Sequence, residues 1–128
     1  MNLYLNTLKK AFDYSGRASR SEYWLFSLAN TLLMMVIQGL AFVDMGTAQE
    51  AYLVAAVVMS FGLALPAMAV TVRRLHDVGK NGWTLLLAII PVFGPLYIFY
   101  LQIKPGQAGT NRYGLNPLEA AAKDLSFA

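Results

Sequence analysis

AYLVAAVVMSFGLALPAMAVTV, residues 51–72, runs for 22 positions without a charged side chain. A helix of that length rises roughly 33 Å at about 1.5 Å per residue, enough to cross a hydrocarbon core of about 30 Å. Two further stretches share the pattern. Tyr23 to Val43 and Trp83 to Ile103 each hold 21 residues and no charge, so all 17 charged residues of the chain lie outside the three. Backbone groups in lipid must bond within their own segment, which predicts helices. A soluble helical core would instead need polar faces to meet water, and these stretches offer none.

Composition agrees. Of 128 residues, 57% are apolar and only 13% charged, against about a quarter charged in soluble domains. There is no cysteine, which removes disulfides and thiolate metal sites. The first apolar stretch starts after 22 polar or amphipathic residues and is too long for a signal-peptide core, so a cleaved leader is not expected.

Outward from the apolar stretches, residues 1–14 read as an amphipathic helix. Met1, Tyr4, Leu5, Leu8, Ala11 and Phe12 share one face, and Asn2, Asn6, Lys9, Lys10 and Asp13 the other. Such a helix beside a span suits the headgroup plane; packing on the protein's own loops is the alternative. Ser15-Gly16 breaks it, Ser21 can cap the first span, and Tyr23 and Trp24 suit the interface. Asn30 and Gln38 need partners inside the membrane, so they should face another helix. Ala56, Ser60 and Ala64 form a small-residue face for close helix approach. Gly79 suits a helix C-cap and Asn81-Gly82 a tight turn. Pro91, Gly94 and Pro95 predict a kink in the third stretch, or a hairpin that turns back. Asn116 can cap a short final helix with Pro117 at its first position.

The expected fold is therefore all-α: a polytopic membrane protein with three transmembrane helices, an N-terminal interfacial amphipathic helix and a short C-terminal helix. One membrane domain, 1–128, divides into the interfacial helix 1–14, spans 23–43, 51–72 and 83–103, and a tail 104–128.

Basic residues orient it. Lys9, Lys10, Arg17 and Arg20 precede the first span, the first loop has none, and Arg73, Arg74 and Lys80 follow the second span. Lys and Arg collect on the cytoplasmic side, which places the N-terminus and second loop inside. Three crossings would put Lys104, Arg112 and Lys123 outside, against the rule. A hairpin at Pro91–Pro95 would return them, but each arm would reach only about 12 Å. Three crossings are the expectation, and the side of the tail stays open.

The polar segments carry a family resemblance. Gly16-Arg17-x-x-Arg20-x-Glu22-Tyr23-Trp24, then Arg73-Arg74-Leu75-His76-Asp77-x-Gly79-x-x-Gly82-Trp83, then Pro105-Gly106, Gly109, Asn111-Arg112-Tyr113-Gly114 and Pro117 resemble, in order, the three motifs of the DUF805 family of small bacterial inner-membrane proteins. Ile90-Pro91-Val92-Phe93-Gly94 is similar to its third apolar segment. The likeness runs from about Leu3 to Pro117. It implies a bacterial cytoplasmic membrane and supplies no reaction, substrate or cofactor.

Chemistry is sparse. His76 beside Asp77 has the ingredients of a general base, but no nucleophile motif accompanies it, and neighbours in a helix point to different faces. The expectation is a non-enzymatic protein without cofactor. One histidine and scattered carboxylates make no metal spacing, and Gly79-x-x-Gly82 alone is a turn rather than a phosphate loop. The surface is not basic enough for nucleic acid. What remains is a basic cytoplasmic-face cluster. Arg17, Arg20, Glu22, Trp24, Arg73, Arg74, His76, Asp77, Asn111, Arg112 and Tyr113 are candidates for binding anionic lipid headgroups or a partner protein, since guanidinium forks match phosphate oxygens. That makes the chain an accessory or scaffold unit, with membrane lipids, a second copy or another protein as partners. The rival is a small oligomeric transporter or channel with Asn30, Gln38 and Ser60 along its path, weakened by the lack of an acidic residue within any span.

Overall fold

The computed structural model describes residues 3–126, and within them the chain is helical. Met1 and Asn2, assigned above to opposite faces of the first helix, lie outside the described residues. Five α-helices follow in order: α1 (Leu3–Lys9), α2 (Arg20–Leu40), α3 (Gln49–Asp77), α4 (Phe93–Ile103) and α5 (Pro117–Ser126). Short 3-10 segments occupy Gly46–Ala48 and Gly82–Ile89.

Ser19, not Ser21, caps α2. Its Oγ accepts from the Glu22 backbone N–H at 3.2 Å, and Ser19-x-x-Glu22 is the sequence form of a capping box. Ser21 already lies inside the helix. α2 then runs antiparallel to α3. Gln38 Nε2 donates to Ser60 Oγ at 3.0 Å, and the Tyr52 hydroxyl donates to the Ile37 carbonyl. At the other end Ala18 N donates to Arg73 O at 3.0 Å. Ala56 is buried at this seam, whereas Ala64 is exposed.

α2 and α3 are long and apolar enough to cross a membrane. Their outer faces are bare: Leu32, Val58 and Phe61 are all exposed, Phe61 at 74%. A water-soluble bundle would bury such a face.

The third apolar stretch departs from the expected single span. It is folded in two. The 3-10 segment Gly82–Ile89 forms one arm, Ile90 to Val92 the turn, and α4 the other arm. The causes are local. Pro91 and Pro95 lack N–H donors and resist a continuous helix. The Phe93 N–H donates to the Pro91 carbonyl at 2.8 Å across Val92, whose φ is +66°. That is a γ-turn of the rare, strained hand, held at a β-branched residue. Gly94 makes the return: a Cβ there would stand 1.7 Å from the Leu87 carbonyl oxygen. Eight residues of 3-10 helix and eleven of α-helix each reach about 16–17 Å, so the arms match.

Both ends of this hairpin meet the C-terminal end of α3. Gly79, at φ +80°, donates to His76 O, and Lys80 N donates to Leu75 O at 2.8 Å; this Schellman closure starts the first arm. After the second arm, Gln107 N donates to Asp77 O at 2.7 Å. The tail therefore returns to the end of the bundle that holds residues 16–18. α5 begins as expected, with Asn116 Oδ1 accepting from Leu118 N at 3.0 Å.

α1 is shorter than expected, with hydrogen-bonded turns continuing to Asp13. It packs on the protein. Tyr4 stacks on Phe26 with ring centroids 5.0 Å apart, and Tyr4 and Leu8 cover the cluster of Ala18, Phe26 and Val70. Leu5 and Phe12 remain exposed.

Candidate functional site

α3 ends in five consecutive buried residues, Arg73 to Asp77, and Val78 just after it is buried too. The reason is what closes over them: residues 16–18, the base of the hairpin, and the tail. At the centre stands Asp77, 4% exposed. Its Oδ1 accepts from Arg17 Nε at 2.9 Å, and its Oδ2 accepts from Arg74 Nη1. Arg17 and Asp77 are 60 residues apart in sequence.

Two cations on one carboxylate leave a buried positive charge, and main-chain carbonyls absorb it. Arg17 Nη1 donates to Gly109 O at 2.7 Å and Gly114 O at 3.4 Å, and its Nη2 to Gln107 O. Arg74 donates to Gln102 O at 3.3 Å, Ala18 O at 3.4 Å and Lys104 O. Gln102 lies in the last turn of α4, and Lys104 follows it. The last carbonyls of a helix have no partner within it and carry the negative end of its dipole. Arg74 supplies what they lack, at the point where α3 itself also ends. Gly106 lets the tail pass over: a Cβ there would meet Asp77 Oδ2 at 2.1 Å.

A second ion pair joins α2 to α3. Arg73 Nη1 donates to Glu22 Oε1 at 2.7 Å, and Thr7 Oγ1 donates to the same oxygen at 3.4 Å. Arg73 is 1% exposed, yet its Nε and Nη2 have no hydrogen-bond partner.

His76 lies past the charge-free stretch that ends at Val72. Its Nδ1 stands 3.0 Å from Gly16 O. A carbonyl only accepts, so Nδ1 carries the proton. The ring stacks on Tyr113 at 3.9 Å and 1°. Arg112 lies over Tyr113 and donates to its hydroxyl at 2.6 Å. Asn111 Nδ2 donates to His76 O at 3.0 Å. Burial lowers the pKa of His76 from the ordinary histidine value; the Gly16 hydrogen bond opposes this and Arg112 adds to it. The ring and its neighbouring carbonyl fasten the tail to the end of α3.

The candidate residues thus fall into groups. Arg17, Arg74, Asp77, His76, Asn111, Arg112 and Tyr113 come together, with Arg73 and Glu22 beside them. Trp24 stands apart on α2, where its ring meets the edge of Phe99 on α4 at 5.7 Å. Arg20 is exposed. The expectation missed the acceptors: Gly16, Gln102, Lys104, Gln107, Gly109 and Gly114 act through main-chain oxygens, which no side-chain pattern announces. The nearest signal was the glycine-rich tail. Among the described residues, no three His, Asp or Glu side chains gather to hold a metal.

This arrangement joins the three polar motifs into one structure. Residues 11–115 match the family model described as "Protein of unknown function (DUF805)". The chain belongs to this family. The Escherichia coli (strain K12) inner membrane protein YhaI is 36% identical over 120 residues, covering 91% of this chain and 96% of YhaI. Inner membrane protein YhaH of the same strain is 38% identical over 119 residues, covering 91% and 97%. The uncharacterized protein YiiR is 30% identical over 82 residues, 61% of this chain and 51% of YiiR. No solved structure matches the chain. As a DUF805 member with apolar, outward-facing helices, it is an inner-membrane protein.

Proposed function

We propose that this DUF805 protein crosses the inner membrane twice, through α2 and α3, and inserts the hairpin of residues 82–103 from the cytoplasmic side without crossing. Both ends of the chain are then cytoplasmic. The contacts of the tail with Arg17, Arg74 and Asp77 support this, because they place its basic residues with those of the N-terminal segment and second loop. The opposite loop carries Asp44 and Glu50 and no basic residue. The basic residues thus sit at one end, as the positive-inside rule asks. Hairpin arms of about 16 Å reach about half the depth of the hydrocarbon core, and the two arms close on each other where Gly94 meets Leu87.

The function this supports is a non-enzymatic scaffold unit whose cytoplasmic cap holds anionic lipid headgroups. One observation carries it. The inner arginines are committed to Asp77, Glu22 and main-chain carbonyls, while Lys9, Lys10, Arg20, Lys80, Lys104 and Arg112 are exposed around them. Each such residue near an anionic surface contributes about 1 kcal/mol. The buried arginines give the cap its shape; the exposed collar gives it charge.

Native mass spectrometry from mixed phosphatidylglycerol and phosphatidylcholine nanodiscs tests the reading. Arg20→Glu with Lys104→Glu should reduce retained phosphatidylglycerol several-fold and leave phosphatidylcholine unchanged. Equal retention by the double variant and the parent protein contradicts it.

A further inference from the structure

Beside the cap, but outside it, lies a cavity of about 460 Å³ between the end of α3 and the first hairpin arm. That volume is within the range of small-molecule sites. Its walls are mostly apolar: Met68, Val72, Leu86 and Trp83, with Tyr14 and Asn81 among the few polar residues. No charged side chain lines it among the described residues. Trp83 is 75% exposed, and an indole in that position suits the membrane–water boundary.

One polar atom is turned into this cavity without a partner. His76 is 7% exposed. Its Nδ1 is held by Gly16, and Tyr113 covers one ring face. The Nε2 edge is turned to Gly82, which also lines the cavity: a Cβ at Gly82 would stand 3.9 Å from Nε2. With the proton on Nδ1, Nε2 presents a lone pair. An acceptor open to the cavity is best met by a hydrogen-bond donor, which a fitting ligand brings. The apolar walls ask for hydrocarbon below it, and the uncharged lining asks for an uncharged head.

We infer that this cavity binds a lipid alcohol: one hydroxyl donating to His76 Nε2, with its hydrocarbon against Met68, Val72 and Leu86. Diacylglycerol is the simplest member of that class. The site is separate from the exposed collar and takes a ligand without charge.

The chain has a single histidine, so 15N-histidine labelling gives one imidazole to observe. The full chain would be placed in phosphatidylcholine nanodiscs and titrated with dioleoylglycerol, and separately with its 3-O-methyl ether, which keeps the shape and lacks the donor. Dioleoylglycerol should move the Nε2 resonance saturably. The ether should bind about ten-fold more weakly, the effect of one lost hydrogen bond. Leu86→Trp, at an exposed position that lines the cavity, should abolish the response while leaving the Nδ1 resonance in place. A proton found on Nε2 in the free protein would overturn the inference. So would equal responses to alcohol and ether. A response to phosphatidylglycerol without one to dioleoylglycerol would assign the cavity to the anionic headgroups instead, and would also overturn it.

Discussion

The two halves of α3 are held by different physics. From Gln49 to Leu65 only Ala56 is buried, and a few polar contacts join this half to α2: Gln38 to Ser60, Tyr52 to Ile37, and Gln49 to the Ala41 carbonyl. From Pro66 to Asp77 burial becomes dense, and it culminates in arginines, a histidine and an aspartate. This inverts the usual soluble pattern of apolar inside and charged outside. Lipid explains it. Between helices in hydrocarbon there is no hydrophobic driving force, so specificity has to come from polar contacts, and these are concentrated where the chain leaves the apolar layer.

The comparison predicts unequal mutational costs. Asp77→Ala should be the most damaging, because it strands two buried arginines. About 3–5 kcal/mol should be lost, read by equilibrium unfolding in detergent, with the tail cut faster by protease. Phe61→Ala on the lipid-facing half should stay within about 0.5 kcal/mol in the same assay. Equal costs would break the contrast. Gly94→Ala comes next: the added Cβ meets main chain, so the arms must part, at about 1–3 kcal/mol, and Trp83 fluorescence should shift as the first arm moves. Gln38→Leu should cost about 0.6 kcal/mol, the typical worth of one hydrogen bond between spans.

The smallest effect lies on the surface. Asp13 accepts from the Ser15 hydroxyl and backbone N–H at 2.6 and 3.0 Å, and these bonds hold its pKa below the usual carboxylate value. A depressed pKa stabilises the fold above the unfolded-state value and ceases to do so as pH falls through the folded one. Ser15→Ala should raise the Asp13 pKa toward the ordinary value, visible by NMR titration of its carboxyl carbon, with stability at neutral pH nearly unchanged.

Much of this was legible in the sequence. The absence of charge marked the apolar stretches, and the Gly79 and Asn116 caps stand where their residue types predict. The third stretch was harder, because a 21-residue charge-free run has the length of a span whether it is straight or folded. Pro91, Gly94 and Pro95 pointed to the fold-back, but the close approach of Gly94 to Leu87 is a contact between arms that no local pattern encodes. The Arg17–Asp77 pair was invisible for a related reason: the three motifs were recognisable one by one, and only the returning tail joins them. Most of the candidate side chains come together in the structure, whereas the carbonyls that bind Arg17 and Arg74 carry no sequence signal, since every residue has one.

The central claim is that the tail returns to the side of the N-terminal motif. The chain has no cysteine, so single-cysteine labelling tests it directly. Thr110→Cys, in the tail, and Thr47→Cys, in the acidic loop, would be exposed to a membrane-impermeant maleimide in intact spheroplasts. The account predicts that Thr47→Cys is labelled and that Thr110→Cys is labelled only after lysis. Labelling of both before lysis would mean that the third stretch crosses the membrane, and would contradict it.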